Sequence, residues 1–301
     1  MVDWGLALKA GPAKGNIAGW LTDIEAAVPQ LQPHFQSLWM TDHFFWGDSP
    51  THEAWTVMAY LAARFPTLKI GPMVLGQSYR NPALLAKMAA TLQVLSGGNF
   101  IMGIGAGWKE DEYLAYGYEY PRPGIRIEQL EDTLEILKRL WTQPGQVTYR
   151  GKHYQVENAY CEPKPDPVPP IIVGGAGDKT MRLAAIHADM WNIPDAPYDR
   201  YAERAAKLRA LCAEVGRDPA SIRMSWFGRL GVGRTEAEAL ERGGGHWTSA
   251  NAFMGTPGQV VDELNRFVAL GCDYFMVEVL DVGNPDVVEM VMNDILPKVG
   301  R

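Results

Sequence analysis

Eight times along the chain a short apolar run gives way to a longer stretch with helical periodicity, and this alternation limits the fold more than any other feature. The apolar runs at residues 2–8, 37–41, 68–75, 100–104, 171–173, 190–193, 222–228 and 274–280 have the length and composition of strands buried on both faces. Helical patterns cover 17–31, 53–64, 82–95, 127–141, 179–187, 198–215, 259–270 and 285–296, with a less regular helical stretch after the seventh strand. Asn81 before Pro82 and Thr256 before Pro257 mark two helix starts, a side-chain cap followed by a residue with no N–H to satisfy. Eight parallel strand–helix units predict an α/β fold, a TIM (β/α)8 barrel with insertions. A doubly wound open sheet is the alternative, because the pattern does not tell whether the edge strands meet.

The chain reads as a single barrel domain over residues 1–301, interrupted at about 108–125, 144–169 and 229–255. Residues 146–156, QVTYRGKHYQV, alternate around a turn and predict a β-hairpin, and 161–170 form a Pro-rich strap. In the third interruption Gly243, Gly244 and Gly245 precede His246 and Trp247, which suggests either a mobile loop over the barrel mouth or a surface excursion.

In a barrel of this kind catalytic groups gather where the strands end. His43, directly after the second strand with Asp42, is therefore the catalytic candidate, and Phe44, Phe45 and Trp46 offer it an apolar wall. Gly103, Gly105 and Gly107 at the fourth strand end, and Gly174, Gly175, Ala176 and Gly177 at the fifth, leave backbone open to a flat ring or a phosphate. A Gly-x-Gly-x-Gly is equally compatible with a tight packing turn. Lys179 and Thr180 open the next helix, where free N–H groups favour an anion. Met73 and Val74 follow Gly71 and Pro72 at the third strand end, a place for a bulge against a ligand or for ordinary strand packing. Arg126 is either a phosphate contact or a salt-bridge partner of Glu128 or Glu131. The acidic run Glu110, Asp111, Glu112 reads as a solvated face.

Other classes are disfavoured. A net charge of −7 argues against nucleic acid or an anionic membrane as the main partner. There is no metal-ligand spacing of His, Cys or carboxylates, and no Gly-x-Ser-x-Gly elbow. Cys161, Cys212 and Cys272 are widely separated and odd in number, which fits a reducing compartment. With no basic leader and no membrane-length apolar run, the expected location is cytoplasmic.

The chain carries TDHF at 41–44, GIGAGW at 103–108 with Glu112 and Gly117, and RIEQLEDTLEILKRLW at 126–141. VTYRGKHYQV at 147–156, PPIIVGG at 169–175, ADMWN at 188–192 and GTP at 255–257 follow in order. Through these motifs nearly the whole chain resembles the bacterial-luciferase-like oxidoreductases, and within them the branch that uses the deazaflavin coenzyme F-420. The resemblance implies a barrel holding a tricyclic ring at its mouth for hydride transfer with a small-molecule substrate. A non-prolyl cis peptide at Met73–Val74 would back the ring, Asp42 and His43 would lie beside it, and Gly174 to Gly177, with Arg126 as a partner, would take the phosphate. FMN is the alternative cofactor, in a monooxygenase supplied by a flavin reductase, and a non-catalytic flavin-binding protein is a second alternative. Members that oxidise a sugar phosphate carry Glu where Trp108 stands here and basic residues where 194–197 have none, which points away from that substrate. Bacterial luciferase has Arg at the position of Ala106. The resemblance also implies a homodimer, for which Leu84, Leu85, Met88, Leu92 and Leu95 with Trp55, Met58 and Leu61 offer an apolar face.

Overall fold

Every expected strand forms, and the connections between them are helical. The computed structural model describes residues 2–11, 19–32 and 34–301. In chain order the elements begin β1 (Asp3–Ala7), α1 (Gly19–Leu31), β2 (Ser37–Met40), α2 (Ala54–Arg64), β3 (Lys69–Pro72), β4 (Leu75–Gly76), α3 (Pro82–Leu95) and β5 (Met102–Gly105). Then come α4 (Glu110–Ala115), α5 (Pro123–Thr142), β6 (Val147–Arg150), β7 (Gln155–Ala159), β8 (Ile171–Gly174), α6 (Asp178–His187), β9 (Met190–Pro194) and α7 (Tyr198–Glu214). The chain finishes with β10 (Arg223–Val232), α8 (Glu236–Arg242), β11 (Phe253–Gly255), α9 (Pro257–Ala269), β12 (Cys272–Val279) and α10 (Pro285–Glu289). Residues 17 and 18, where the first helix was expected to begin, lie outside the described residues.

The main sheet runs β3, β2, β1, β12, β10, β9, β8, β5, β4, each neighbour parallel to the next. β3 and β4 are two halves of the third strand, and Ile70 of β3 bridges Phe100 ahead of β5. The two ends of the sheet therefore meet, which decides for a barrel against an open sheet. The barrel interior is filled by Ala7, Trp39, Met73, Ile101, Ile172, Met190, Phe227, Tyr274 and Met276. Trp39 fits because Gly5 and Gly71 flank it: a Cβ on either would come within 2.4 Å of the indole. Its Nε1–H donates to Ser37 Oγ, which in turn lies 2.6 Å from the Tyr274 hydroxyl.

Local chemistry sets the helix starts. Asn81 Oδ1 accepts from the N–H groups of Ala83 and Leu84, and Thr256 with Gln259 closes a capping box ahead of α9. α5 begins at Pro123, four residues before the expected start, since proline suits a first helical position. The β6–β7 hairpin forms as read and is tied to α5 by Asp132, which accepts from Tyr149 Oη and the N–H groups of Lys152, His153 and Tyr154. β10 extends to Val232, beyond the expected end at 228, so the third excursion holds α8 and the short β11, which pairs with the end of β10. Of the apolar helical face, Leu85, Leu92, Met58 and Leu61 are buried in the core, whereas Leu84, Leu95 and Val94 are exposed. Among the described residues no helix is long and apolar enough to cross a membrane, and no cluster of metal-ligating side chains occurs.

His187 closes α6 against α5, with Nδ1 3.9 Å from Glu135 Oε1. Burial, helped by the Lys138 charge and opposed by Glu135, pushes its imidazole from 6.5 down to about 4. The folded protein thus holds this ring neutral where the unfolded chain would protonate it. Stability contributed by the neutral ring is complete above pH 6.5 and is lost as pH falls towards 4. The expected loss over that window is about 3 kcal/mol, read from urea unfolding at a series of pH values. In His187→Gln the curve should be flatter by that amount; superimposable curves would mean that the folded protein tolerates a charged ring.

Candidate active site

The C-terminal ends of all eight barrel strands border one cavity of about 680 Å³. Its lining includes residues 8–11 after β1, 41–43 after β2, 73–76 around β4, 105–109 after β5, 174–177 after β8, 192, 194 and 195 around β9, Phe227 and Arg229 of β10 and Glu278 of β12.

His43 lies on this wall. Its Nδ1 is 2.9 Å from Glu112 Oε2, and Glu112 is completely buried. The other carboxylate oxygen accepts from the N–H groups of Phe44 and Phe45, and Tyr79 Oη donates to Oε2 at 3.3 Å. A carboxylate surrounded by donors makes Nδ1 the protonated nitrogen of the imidazole, which leaves Nε2 as the one that can accept a proton from a ligand. Trp46 and Trp108, both exposed, meet the ring edge-on at 5.1 and 5.8 Å between centroids. Phe44 instead turns away and packs on Tyr79 and Tyr116, so the wall beside His43 is built from Trp46 and Trp108.

Asp42 also borders the cavity, but its carboxylate is committed. Arg80 Nη1 and Nη2 reach its two oxygens at 2.9 and 3.1 Å, and the Gly76 N–H donates to Oδ2. Arg80 further holds Glu53, the cap of α2. One guanidinium thus locks together the second strand end, the third strand end and the following helix.

The glycines divide into two groups. A Cβ on Gly103 would strike the Pro72 carbonyl at 2.0 Å, so its role is close strand packing, and it does not line the cavity. Gly105, Gly174, Gly175, Ala176 and Gly177 do line it, together with Met73 and Val74, which are joined by a cis peptide bond. Cβ atoms on Gly105 and Gly174 would come within 2.9 and 3.0 Å of the Val74 methyls, so these glycines make room for the bulge. Gly177 precedes α6 without any side-chain cap, leaving the first N–H groups of that helix for a ligand, and Thr180 faces the same space. Lys179 is exposed and outside the lining. Arg126 is buried away from the cavity, donating to the Pro121 carbonyl and stacked 4.0 Å from the centre of the Tyr120 ring.

Several site residues escaped the sequence reading. The run Glu110, Asp111, Glu112 is solvated only at its first two members; a helix turns successive residues to different faces, and Glu112 faces inward with Tyr113. Arg80 and Tyr79 lie in a short turn with no pattern of its own. Asp195, Arg229 and Glu278 form a second polar group at the mouth: Arg229 Nη1 contacts both Asp195 oxygens at 3.1 and 3.2 Å, and its Nε is 3.4 Å from Glu278. Burial raises the Asp195 carboxyl above its ordinary range, with Arg229 opposing the shift. The signal available for Arg229 and Glu278 was a lone charge near the end of an otherwise apolar strand.

A family model described as luciferase-like monooxygenase matches residues 34–254. The F-420-dependent glucose-6-phosphate dehydrogenase of Amycolatopsis mediterranei (strain U-32) is 29% identical over 170 residues, 55% of this chain and 51% of that protein. The chain thus spans about half the length of that relative. Among solved structures, an F-420-dependent secondary alcohol dehydrogenase in complex with an F-420–acetone adduct superposes with a TM-score of 0.86 at 20% identity, over 100% of this chain and 99% of the other. The oxygenating constituent of 3,6-diketocamphane monooxygenase from Pseudomonas putida, in complex with FMN, gives 0.75 at 18% identity over 99% of each chain. At such identities the structural likeness speaks for the fold.

Replacing Glu112 tests the geometry around His43 without reference to any reaction. Glu112→Ala leaves the Phe44 and Phe45 N–H groups unpaired, which should cost about 2–4 kcal/mol of stability. In the milder Glu112→Gln variant, nitrogen-15 NMR of the His43 ring should show the Nδ1–H tautomer giving way to a mixture; an unchanged tautomer would show that Glu112 does not set it.

Proposed function

The chain belongs to the luciferase-like monooxygenase family, and on that premise we propose that it is an oxidoreductase that uses coenzyme F-420 to exchange hydride with a small organic molecule. The observation that carries the proposal is one cavity that combines the Met73–Val74 bulge, the glycine-lined start of α6 and the His43–Glu112 pair. A planar tricycle with a ribityl chain and a phosphate matches that combination in shape and charge. The bulge and Gly105 would lie against the ring, and the N–H groups after Gly177, with Thr180, would hold the phosphate. When bound, the cofactor supplies hydride donation or acceptance at its central ring.

The chain's own residues would handle the proton and the environment. His43, held by Glu112 with Nε2 free, would take the proton of an alcohol or return one to a carbonyl oxygen. Trp46 and Trp108 would cover the reacting carbon and exclude water. Asp42, already bound to Arg80, keeps the second strand end in place. Lys179 and Arg126, which are outside the cavity lining, are left out of the proposed phosphate contacts. Trp108 at the place of the sugar-phosphate members' Glu, with no basic residue from 194 to 197, favours an apolar or aromatic substrate over a sugar phosphate.

The second reading, an FMN-dependent monooxygenase supplied with reduced flavin by a reductase, is favoured by the likeness to the FMN-bound camphane enzyme. Either reading suits a cytoplasmic protein, and a homodimer formed through the exposed Leu84, Val94 and Leu95 of α3 accompanies both.

Titrating the apoprotein with F-420 and with FMN, each oxidised and reduced, separates the two readings by fluorescence. Tight binding of F-420 is expected, and binding of FMN alone would overturn the cofactor assignment. His43→Ala should keep cofactor affinity and lower turnover by about 10²–10⁴-fold; full turnover would remove His43 from the mechanism. Gly177 has an ordinary backbone conformation and open space around its Cβ position, so Gly177→Val reports on the ligand rather than on strain. Cofactor affinity should fall in this variant with little change in melting temperature, and unchanged affinity would place the phosphate elsewhere.

A further inference from the structure

We propose that Asn192, on the floor of the cavity, is a cofactor-binding residue whose side-chain oxygen accepts a hydrogen bond from a hydroxyl of the cofactor's polyol chain. This rests on the cofactor reading above, a ring, a ribityl chain and a phosphate, and adds a contact to the middle of that ligand.

Strand alternation brings Asn192 to this place. Met190 and Asn192 share one face of β9, while Trp191 between them packs against Tyr201 of α7. Met190 fills the barrel interior, and Asn192, two residues nearer the mouth, lines the cavity. Its neighbour across the β9–β10 pairing is Ser225, which is completely buried. Ser225 Oγ donates its one proton to the Trp191 carbonyl at 2.9 Å, so towards Asn192 it can only accept. Asn192 Nδ2 supplies that hydrogen bond at 3.0 Å and also lies 4.0 Å from Met276 Sδ. The orientation of the amide is thereby fixed, and Oδ1 is the atom left without a hydrogen-bond partner among the described residues.

Asn192 is only 1% exposed, and a buried amide oxygen without a donor is costly. Met73 and Phe227, which join the barrel interior to the cavity lining, are apolar and offer none. The donor therefore has to come with the ligand. Asn192 pairs in register with Gly174, and the Gly175 N–H donates to its carbonyl at 3.0 Å. Gly174 makes room for the Val74 bulge, and Gly177, three residues on, opens α6. Asn192 thus stands beside the strand end that leads from the bulge, where the ring would rest, to the helix start, where the phosphate would sit. The part of the cofactor that spans those two points is the ribityl chain, and its hydroxyls are donors. In the oxidised ring the atoms flanking the attachment of that chain are a C–H carbon and an acceptor nitrogen, neither of which satisfies an amide oxygen.

The test pairs F-420 and FMN each with an analogue in which a plain pentyl chain replaces the ribityl chain and everything else is kept. Fluorescence titration of the apoprotein gives the four affinities. In the unaltered protein, loss of the hydroxyls should weaken binding at least about tenfold, the worth of one buried hydrogen bond. In Asn192→Leu, which keeps the volume and removes the oxygen, the natural cofactor should bind about tenfold more weakly while its pentyl analogue does not, so the gap within the pair narrows by about that factor. Asn192→Ala removes the same oxygen and decides the matter if Asn192→Leu fails to fold, which melting curves report. Equal affinities within a pair in the unaltered protein, or an undiminished gap in a folded Asn192→Leu or Asn192→Ala, would overturn the proposal and leave the cofactor reading standing. Binding of FMN with refusal of F-420 would strike the choice of cofactor alone, since the FMN pair still decides the contact; binding of neither would overturn both.

Discussion

Glu112 is a carboxylate with no exposed surface, and the mouth of the barrel is organised around meeting that condition. Burying such a group is unfavourable unless its oxygens are hydrogen-bonded. The donors come from two separate segments: the imidazole and two backbone N–H groups of the loop after β2, and the Tyr79 hydroxyl of the turn after β4. The carboxylate itself belongs to α4, in the insertion after β5. Three strand ends are thereby fixed to one another, and the position of His43 is a consequence of the arrangement. Arg80 performs the reciprocal task with a largely buried cation, binding Glu53 and Asp42, and Asp42 in turn accepts from the Gly76 N–H. Arg80 meets solvent little, and each of its acceptors is placed by a different element.

The cavity is confined to this end because the barrel interior is filled. Trp39 occupies the centre between Gly5 and Gly71, and Met73, Ile172, Met190 and Met276 fill the remainder. The third strand cannot continue regularly past Pro72, and its cis bulge carries Val74 over the glycines of β5 and β8. Small residues there serve two purposes that the sequence pattern does not separate. Gly103 lets strands approach, whereas Gly105 and Gly174 accommodate the bulge at the floor of the cavity.

Much of the fold was legible because it depends on local rules. Strand runs, the Asn81 and Thr256 caps and the β6–β7 turn each follow from a few adjacent residues, and eight repeats of one unit imply closure. What sequence periodicity left open was whether the sheet closes, since that is settled by the contact of Ile70 with Phe100, thirty residues apart. The site was legible only where a strand end announces it, as at His43, Gly105 and Gly174 to Gly177. Glu112 was obscured by its neighbours: three consecutive acids look alike in sequence, and only the facing of a short helix distinguishes the buried one. Arg126 and Lys179 showed the converse, cations that the sequence offered for a phosphate but that fall outside the cavity lining, Arg126 buried against the Tyr120 ring and Lys179 exposed at the start of α6. Arg80 had no sequence signal, because its partners Asp42 and Glu53 lie far from it along the chain.

The excursion after β10 belongs to the same argument as the polar wall. It folds back so that Trp247 packs with Ala239, Ala252, Met254 and Leu280 and lies against the face of Arg229. The guanidinium that balances Asp195 and Glu278 is thus also a surface on which the excursion rests. Cation–π stacking is strongest when the cation is desolvated, and the two carboxylates hold Arg229 in the orientation that allows it. Charge at the cavity wall and the seating of the excursion are consequently coupled: a change that discharges either carboxylate also loosens the cation against which Trp247 packs. Within this barrel the seating of the excursion depends on Arg229, whereas the placement of His43 depends on Glu112, at another strand end.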